Sequence, residues 1–404
     1  MTEINERLAK LREIMKQEGI SACIVPGTDP HASEYIADFW KEREWISGFD
    51  GSAGTAAVTL DKAGVWTDSR YFLQGEEQLE GTGFELMKQG LPDTLEIIPW
   101  LISELKVGEK VAVNSQMFSV NAYAAMKNEL QSNGIQLVAL DLMAKTWTDR
   151  PALPLNKLFV FDVKYAGKST SEKLQILRTE LKKLRANTFI MSALDDIAWL
   201  FNIRGNDVSY NPVVIAYALI EEEKATLFIE NEKLTSETKA YLAAEGVSVA
   251  PYLSVYDSLR NIPAENAVLI DGAKLNQSLY EAIPQNCGKR NTMSPVFRLK
   301  SIKNDVELNG VRRAMIKDGV ALTRFFMWLE NNVEKEDISE ISLSKKLYDF
   351  RAEQENFVGE SFGTIAGYAG HGAIVHYHAL PDTDATLVTE NILLLDSGGQ
   401  YFDG

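Results

Sequence analysis

Cysteine is scarce: Cys23 and Cys287 are the two in 404 residues, and they lie far apart. Such a pair gives no disulfide framework, and nothing implies an oxidising compartment. Cys23 falls in the apolar run 22–25, which reads as a strand carrying a buried free thiol. Long hydrophobic runs are also missing. No stretch of 18 apolar residues occurs, so no membrane span is expected. The first residues, MTEINERLAKLREIMKQEG, are charged and helical in pattern, unlike a secretory leader. Positive charge is in deficit. Against 57 Asp and Glu stand 41 Lys and Arg, a formal net charge of −16. That argues against nucleic acid as a partner and leaves a basic protein open. The Gly-rich run 48–54 lacks the Gly-Lys-Ser/Thr of a phosphate loop, so tight turns between strands explain it.

What is present is ordinary globular material: 45% apolar and 24% charged residues. The length suggests two or three domains, with cores large enough to fold without a disulfide or metal. Residues 3–18 read as an amphipathic helix with Ile4, Leu8, Leu11, Ile14 and Met15 on one face, ended by Gly19. A strand at 22–25 and a loop at 26–30 follow. A helical stretch is expected from 31 to 36, a Gly-rich turn into a strand over 45–60, and a strand then a helix over 65–80. Strands at 110–113 and 136–139 flank a helix at 120–131. The proline-rich run 149–154 reads as a linker. His31 reads as structural or solvated.

An internal repeat is visible. Leu11-Arg12 through the strand 23–25 to Asp29 aligns with Leu177-Arg178 through 189–191 to Asp195, at a constant offset of 166. After a gap, Gly48 answers Gly205. The repeat reads as two copies of one α/β unit in tandem, although helix–strand units also recur by chance. The second copy carries Asp195-Asp196 at a helix start, where capping and dipole compensation outweigh acid–base work. Arg204, in an apolar stretch, reads as a domain-interface anchor. Later strands fall at 225–229 and 267–270. Helices are expected at 305–331, with Met315, Gly319, Leu322, Phe326 and Leu329 on one face, and at 341–354. A strand at 360–365 and a loop at 367–372 lead to the last stretch.

That stretch, 371–404, holds three of the four histidines: His371, His376 and His378. A turn at Pro381-Asp382 precedes the apolar strand 392–395, which ends on Asp396 before Ser397-Gly398-Gly399. An aspartate at a strand end, aimed at histidines on a second strand, can place oxygen and nitrogen ligands around a metal. Equally, such an aspartate is often a turn residue bonded to its own backbone, and histidines in polar loops are often solvated. Spacing alone leaves both open.

A resemblance narrows the choice. Ala373-Ile374-Val375-His376-Tyr377, then Leu395-Asp396-Ser397-Gly398-Gly399-Gln400-Tyr401 with Asp403-Gly404, resembles the catalytic domain of the Xaa-Pro aminopeptidases in their three-domain form. These are metallopeptidases of the pita-bread fold. The runs at 47–56, 192–207 and 299–307 carry the same likeness through the rest of the chain. The resemblance implies two tandem creatinase-N-type α/β domains, at 1–154 and 155–300, followed by the first part of a pita-bread domain at 301–404. It implies release of the N-terminal residue from peptides with proline second, two divalent metal ions of which manganese suits the ligand types, a homodimer, and a cytoplasmic location. Asp396 is implied as the first metal ligand. His376 is implied as the histidine that hydrogen-bonds substrate or the developing oxyanion. His371 and His378 have no counterpart. The remaining ligands of the family pattern fall beyond Gly404, so the chain is expected to stop inside the metal-binding motif. Alone, it is expected to be metal-poor and inactive. Two other readings are a non-catalytic pita-bread binding or chaperone module, which the retained His376 and Asp396 disfavour, and a creatinase-like amidinohydrolase, which the repeat disfavours.

Overall fold

The computed structural model describes residues 3–404. The chain divides into two compact units: residues up to Val160 with Thr170–Val208 and Val213–Lys300, and a second of Phe161–Ser169, Ser209–Pro212 and Ser301–Gly404.

The first unit begins with the helix Glu3–Gln17, which buries Leu8, Leu11 and Met15. Gly19, at φ +65°, reverses the chain into β1 (Ala22–Pro26). This strand is buried at every position, as a continuous apolar run in a covered sheet should be. It pairs antiparallel with β2 (Thr55–Thr59), which pairs antiparallel with β3 (Ala63–Thr67), which pairs parallel with β4 (Glu85–Lys88). On its other edge β1 pairs parallel with β5 (Lys110–Val113), and β5 with β6 (Gln136–Ala139). The order is β4-β3-β2-β1-β5-β6.

The second half repeats this arrangement. A short pair, β7 (Phe159–Val160) with β9 (Ile203–Arg204), flanks the sheet formed by β8 (Thr188–Met191), β10 (Tyr217–Glu221), β11 (Ala225–Phe228), β12 (Val247–Ala250), β13 (Ala267–Ile270) and β14 (Gly288–Asn291). Its order, β12-β11-β10-β8-β13-β14, matches the first strand for strand, with the same directions at every pairing. The sequence offset of 166 carries Ala22 of β1 onto Thr188 of β8, so the alignment visible in sequence is also the structural one. Both families of helices cover the sheet faces, which makes the class α/β.

The two copies also share apolar packing. One buried cluster joins Ala37, Trp40, Met117 and Val120 from the first copy to Ile190, Ala198, Val268 and Ile270 from the second. His31 belongs to this seam. It is 1% exposed, with Nδ1 at 2.8 Å from the Ser192 carbonyl and Nε2 at 2.8 Å from the Tyr252 hydroxyl. A carbonyl can only accept, so Nδ1 carries the proton and Nε2 accepts from the phenol. Its role is structural.

Several local expectations are corrected. Residues 31–36 are not helical. Asp29 Oδ1 accepts from the amides of His31 and Ser33, and Ala32 sits at φ +55°, so a turn replaces the helix; the helices come later, at Asp38–Trp40 and Glu42–Ser47. Gly48 closes the latter at φ +79°, but its counterpart in the second copy is not Gly205. The left-handed cap of the helix Leu194–Phe201 is Asn202, at φ +49°. The N-cap of that helix is Ala193, without a side-chain bond. Asp195 and Asp196 lie in its first turn, and both pair with Lys300. Arg204 donates to the carbonyls of Ala198 and Ile203, closing that helix locally.

The second unit is built on the helices Asp305–Asn332 and Glu340–Ala352, each opened by a capping box, at Asn304/Glu307 and Ser339/Ser342. The long helix buries Gly310, Ala314, Ala321 and Phe325. Met315 and Phe326, expected on the buried face, are 67% and 47% exposed. Apolar residues occur on both sides of this helix, so periodicity alone did not select the packed one. Instead of one strand at 360–365 there are two, β15 (Phe357–Glu360) and β16 (Ile365–Tyr368), with a bend between them. A Cβ at Gly363 in that bend would stand 2.9 Å from the Tyr210 hydroxyl and 3.0 Å from His378 Cε1. Residues 369–373 form a 3-10 turn rather than an open loop. Strand β17 (Leu393–Asp396) pairs antiparallel with β16, and β18 (Gly399–Tyr401) with β15. Phe325, Leu343, Leu347, Ala366 and Leu387 form the core. Among the described residues no helix is long and apolar enough to cross a membrane.

Candidate functional site

Asp396 is the last residue of β17 and lies opposite Ile365 of β16. Its side chain is exposed, and among the described residues it makes no hydrogen bond or ion pair. The reading as a turn residue bonded to its own backbone is therefore not what the structure shows. The Ser-Gly-Gly that follows serves close packing. A Cβ at Gly398 would lie 2.1 Å from Ser361 Oγ, and one at Gly399 would lie 3.2 Å from Asp318 Oδ1. Beneath the turn, Arg351 is fully buried. It is paired with both oxygens of Asp318 at 2.8 and 3.2 Å, and it donates to Ser397 Oγ at 3.1 Å. The turn is thus held from below, and the Asp396 carboxylate faces outward.

His376 is half-buried and has φ +60°. A non-glycine residue in the left-handed region costs about 1–3 kcal/mol and persists only where the surroundings hold it there. The segment around it is held by Glu340, which sequence reading missed. Glu340 has no exposed surface. Its Oε1 accepts from the Tyr368 amide at 2.7 Å and from His371 Nδ1 at 3.0 Å. Its Oε2 accepts from the Tyr377 hydroxyl at 2.9 Å and the Ala385 amide at 3.1 Å. His371 also stacks on Tyr377, with ring centres 4.6 Å apart. One carboxylate therefore grips the chain before, beside and after His376. Burial pushes the Glu340 pKa up, but the hydrogen bonds from Tyr368, Ala385, His371 and Tyr377 outweigh it and hold the group below the usual carboxylate range. In sequence Glu340 reads as a first-turn acid compensating the helix dipole; its partners lie 28 to 45 residues away, so no local signal marks it. His371 is thus a structural partner of Glu340. His378 is exposed and lies against Gly363.

A third feature closes the unit. Asp403, 7% exposed, receives Lys317 Nζ at 2.6 Å and Arg313 Nε at 3.2 Å. Gly310 lets the helix pass the Asp403 carbonyl, where a Cβ would overlap it at 1.8 Å.

Among the described residues no three His, Cys, Asp or Glu side chains gather as metal ligands. Asp396 is a hard oxygen donor, free to bind, but one carboxylate does not make a two-metal site. The residues present fit one corner of such a site and not the whole.

With this geometry established, three comparisons place the chain. Models of the creatinase/prolidase N-terminal domain match residues 7–146 and 149–307, and that of metallopeptidase family M24 matches 309–404. The fold and site thus define tandem creatinase-type domains leading into an M24 peptidase domain. The chain is 39% identical to Xaa-Pro aminopeptidase 1 of Dictyostelium discoideum, over 99% of this chain and 66% of that protein. It is 38% identical to a probable Xaa-Pro aminopeptidase P of Sordaria macrospora, over 99% of this chain and 67% of the relative. It superimposes on the X-prolyl aminopeptidase of Caenorhabditis elegans with a TM-score of 0.95 and 33% identity, covering 100% of this chain and 69% of that one. That structure is described as a cytosolic enzyme with a di-nuclear active site. The chain belongs to the Xaa-Pro aminopeptidase family. It spans about two thirds of the length of the curated relatives it matches.

Proposed function

We propose that the protein is a metal-dependent aminopeptidase that releases the N-terminal residue from peptides with proline in second position. The observation that carries this reading is the Asp396 carboxylate, exposed and unpaired at the end of β17 within the M24 match, where the family pattern has a metal ligand. The proposal includes two divalent ions, manganese by ligand type, with ligands beyond Asp396 supplied from outside these residues. It includes a homodimer acting in the cytoplasm, as the worm relative's description as cytosolic supports. When bound, such a pair would make a water acidic enough to act near neutral pH and would polarise a carbonyl. The residues described here do the holding. Arg351 and Ser397 fix the turn that presents Asp396. Glu340 fixes the loop that presents His376, whose ring is the donor proposed for the substrate carbonyl as it gains charge.

The test uses the protein extended to the length of its relatives and loaded with manganese. It should cleave an Arg-Pro-Pro peptide and spare Arg-Ala-Pro. Asp396→Asn should lose bound metal, read by elemental analysis, together with activity. His376→Ala should retain metal and lose turnover by about 100-fold or more. Undiminished cleavage by Asp396→Asn would sink the reading. The 404-residue chain by itself should hold no stoichiometric manganese and should not cleave.

A further inference from the structure

A cavity of about 330 Å³ opens in the first unit at the carboxyl ends of β1 and β5. These two strands are where the first sheet changes direction: from β1 the chain goes on to β2 on one edge, and returns at β5 on the other. Open α/β sheets bind ligands in the crevice at such a switch point, and this volume lies at the lower end of the range for small-molecule sites, about 300–1,000 Å³. The loop after β1 supplies Gly27 and Asp29, the loop after β5 supplies Gln116 and Ser119, and the loop after β13 in the second copy supplies Lys274. The cavity lies in the first unit, and Asp396 and His376 in the second.

Two opposite charges line this cavity, and among the described residues neither meets an ion-pair partner. Asp29 is 2% exposed. Its Oδ1 accepts from the amides of His31 and Ser33, but Oδ2 is buried with no hydrogen-bond partner among the described residues. The repeat supplies an internal control. Asp195, the counterpart of Asp29 at the offset of 166, has the ammonium of Lys300 against it. Among the described residues Asp29 has no such cation. A buried carboxylate oxygen left without a donor is costly, so a group is missing on this side. On the other side, Lys274 is exposed, and its ammonium makes no hydrogen bond or ion pair among the described residues. Behind the cavity wall lies Arg43, 5% exposed, whose Nη2 donates to the Gly51 carbonyl, while Nε and Nη1 have no hydrogen-bond partner and no carboxylate pairs with it among the described residues. Gly27 and Gly54 separate it from the cavity. A Cβ at either would press on the guanidinium, at 3.1 Å from Nη2 and 3.3 Å from Nη1. The wall is therefore thin and positive. It attracts an anion, while Asp29 calls for a cation.

We propose that this cavity binds an amino-acid-sized zwitterion, its ammonium on Asp29 and its carboxylate toward Lys274 and the Arg43 wall. A monofunctional ion would satisfy one charge and leave the other, whereas one small zwitterion satisfies both. The proposal stands independently of the peptidase reading.

The test is calorimetric or ligand-observed NMR titration of the 404-residue chain with L-alanine and L-leucine, and with the half-ligands ethylammonium and propionate. At least one amino acid should bind saturably, and each half-ligand should bind at least about tenfold more weakly. Lys274→Met lies on the surface and should fold normally. Asp29→Asn keeps the acceptor for the two amides. Each should weaken amino-acid binding by about tenfold or more. The absence of saturable amino-acid binding at millimolar concentrations overturns the proposal, as does binding that both variants leave intact or half-ligands match.

Discussion

Glu340 is a carboxylate without exposed surface that accepts hydrogen bonds from four groups, three of which belong to or flank the His376 segment. Removing it leaves the Tyr368 amide and the Tyr377 hydroxyl, both on buried residues, without this acceptor, and strips the partly buried His371 and Ala385 of the same partner. Glu340→Ala should destabilise the second unit by about 3 kcal/mol or more in urea denaturation, because each stranded donor costs about 1–3 kcal/mol. Glu340→Gln keeps the shape but points an amide NH2 at two of the donors, so it should fall between wild type and alanine. The pH dependence has a definite sign. The folded pKa lies below the unfolded value of about 4.3, so the folded state favours the ionised form. That stability is complete above about pH 4.3 and is lost as pH falls through the depressed folded value. The wild type should lose more stability between pH 6 and pH 3 than Glu340→Gln. Equal acid sensitivity in the two would show that the four bonds do not favour the carboxylate.

At the scale of elements, the long helix Asp305–Asn332 starts where Asn304 accepts from the amides of Val306 and Glu307 while Glu307 accepts the Asn304 amide in return. Asn304 also donates to the Ala166 carbonyl at 2.9 Å. Gly167, at φ +71°, makes room for this, since a Cβ there would stand 2.4 Å from Asn304 Oδ1. Asn304→Ala should therefore lose more than the ~1 kcal/mol of an ordinary cap, and Asn304→Asp, which keeps the cap but not the donor to Ala166, should recover the larger part. Thermal unfolding of the two variants separates these contributions. Elements of this kind were largely readable in the sequence. The strands 110–113 and 136–139 and the helix opening at Asp305 all announce themselves by local pattern and by cap. The repeat was readable because helix and strand recur at one offset, which no single tertiary contact disturbs. What failed were positions decided from far away. Residues 31–36 look helical until the Asp29 carboxylate and a buried His31 claim them. Met315 and Phe326 satisfy helical spacing as well as Ala314 and Phe325 do, and only packing distinguishes the faces. In the candidate site, Asp396 and His376 were legible through family likeness, while Glu340 was not, because its meaning lies wholly in partners distant in sequence.

For the whole molecule, the repeat raises the question of whether each copy is an independent folding unit. The sheets are separate and equivalent in order, which suggests two. The packing says otherwise. Trp40, 3% exposed, and Val120 of the first copy share one apolar cluster with Val268 and Ile270 of the second. His31 bonds across the same seam to Ser192 and Tyr252. The seam is also bridged through the backbone: the Val120 amide donates to the Leu275 carbonyl and the Gln277 amide to the Phe118 carbonyl, each at 2.9 Å. A joint sealed by apolar burial, a buried histidine and reciprocal backbone bonds couples the stability of its two sides. Trp40→Ala removes the largest first-copy side chain of this cluster and should cost about 3–5 kcal/mol. Because the cluster is common, the loss should register on both sides. Amide-exchange protection should fall in the helix Val120–Ser132 and equally in β13, although Trp40 belongs to neither element. If protection fell only in the first copy, the two sheets would be autonomous, and their common core would be an adhesive contact between finished domains. Coupled loss would mean that the duplication produced one cooperative body, in which the switch-point cavity formed by both copies can act as a single rigid receptor.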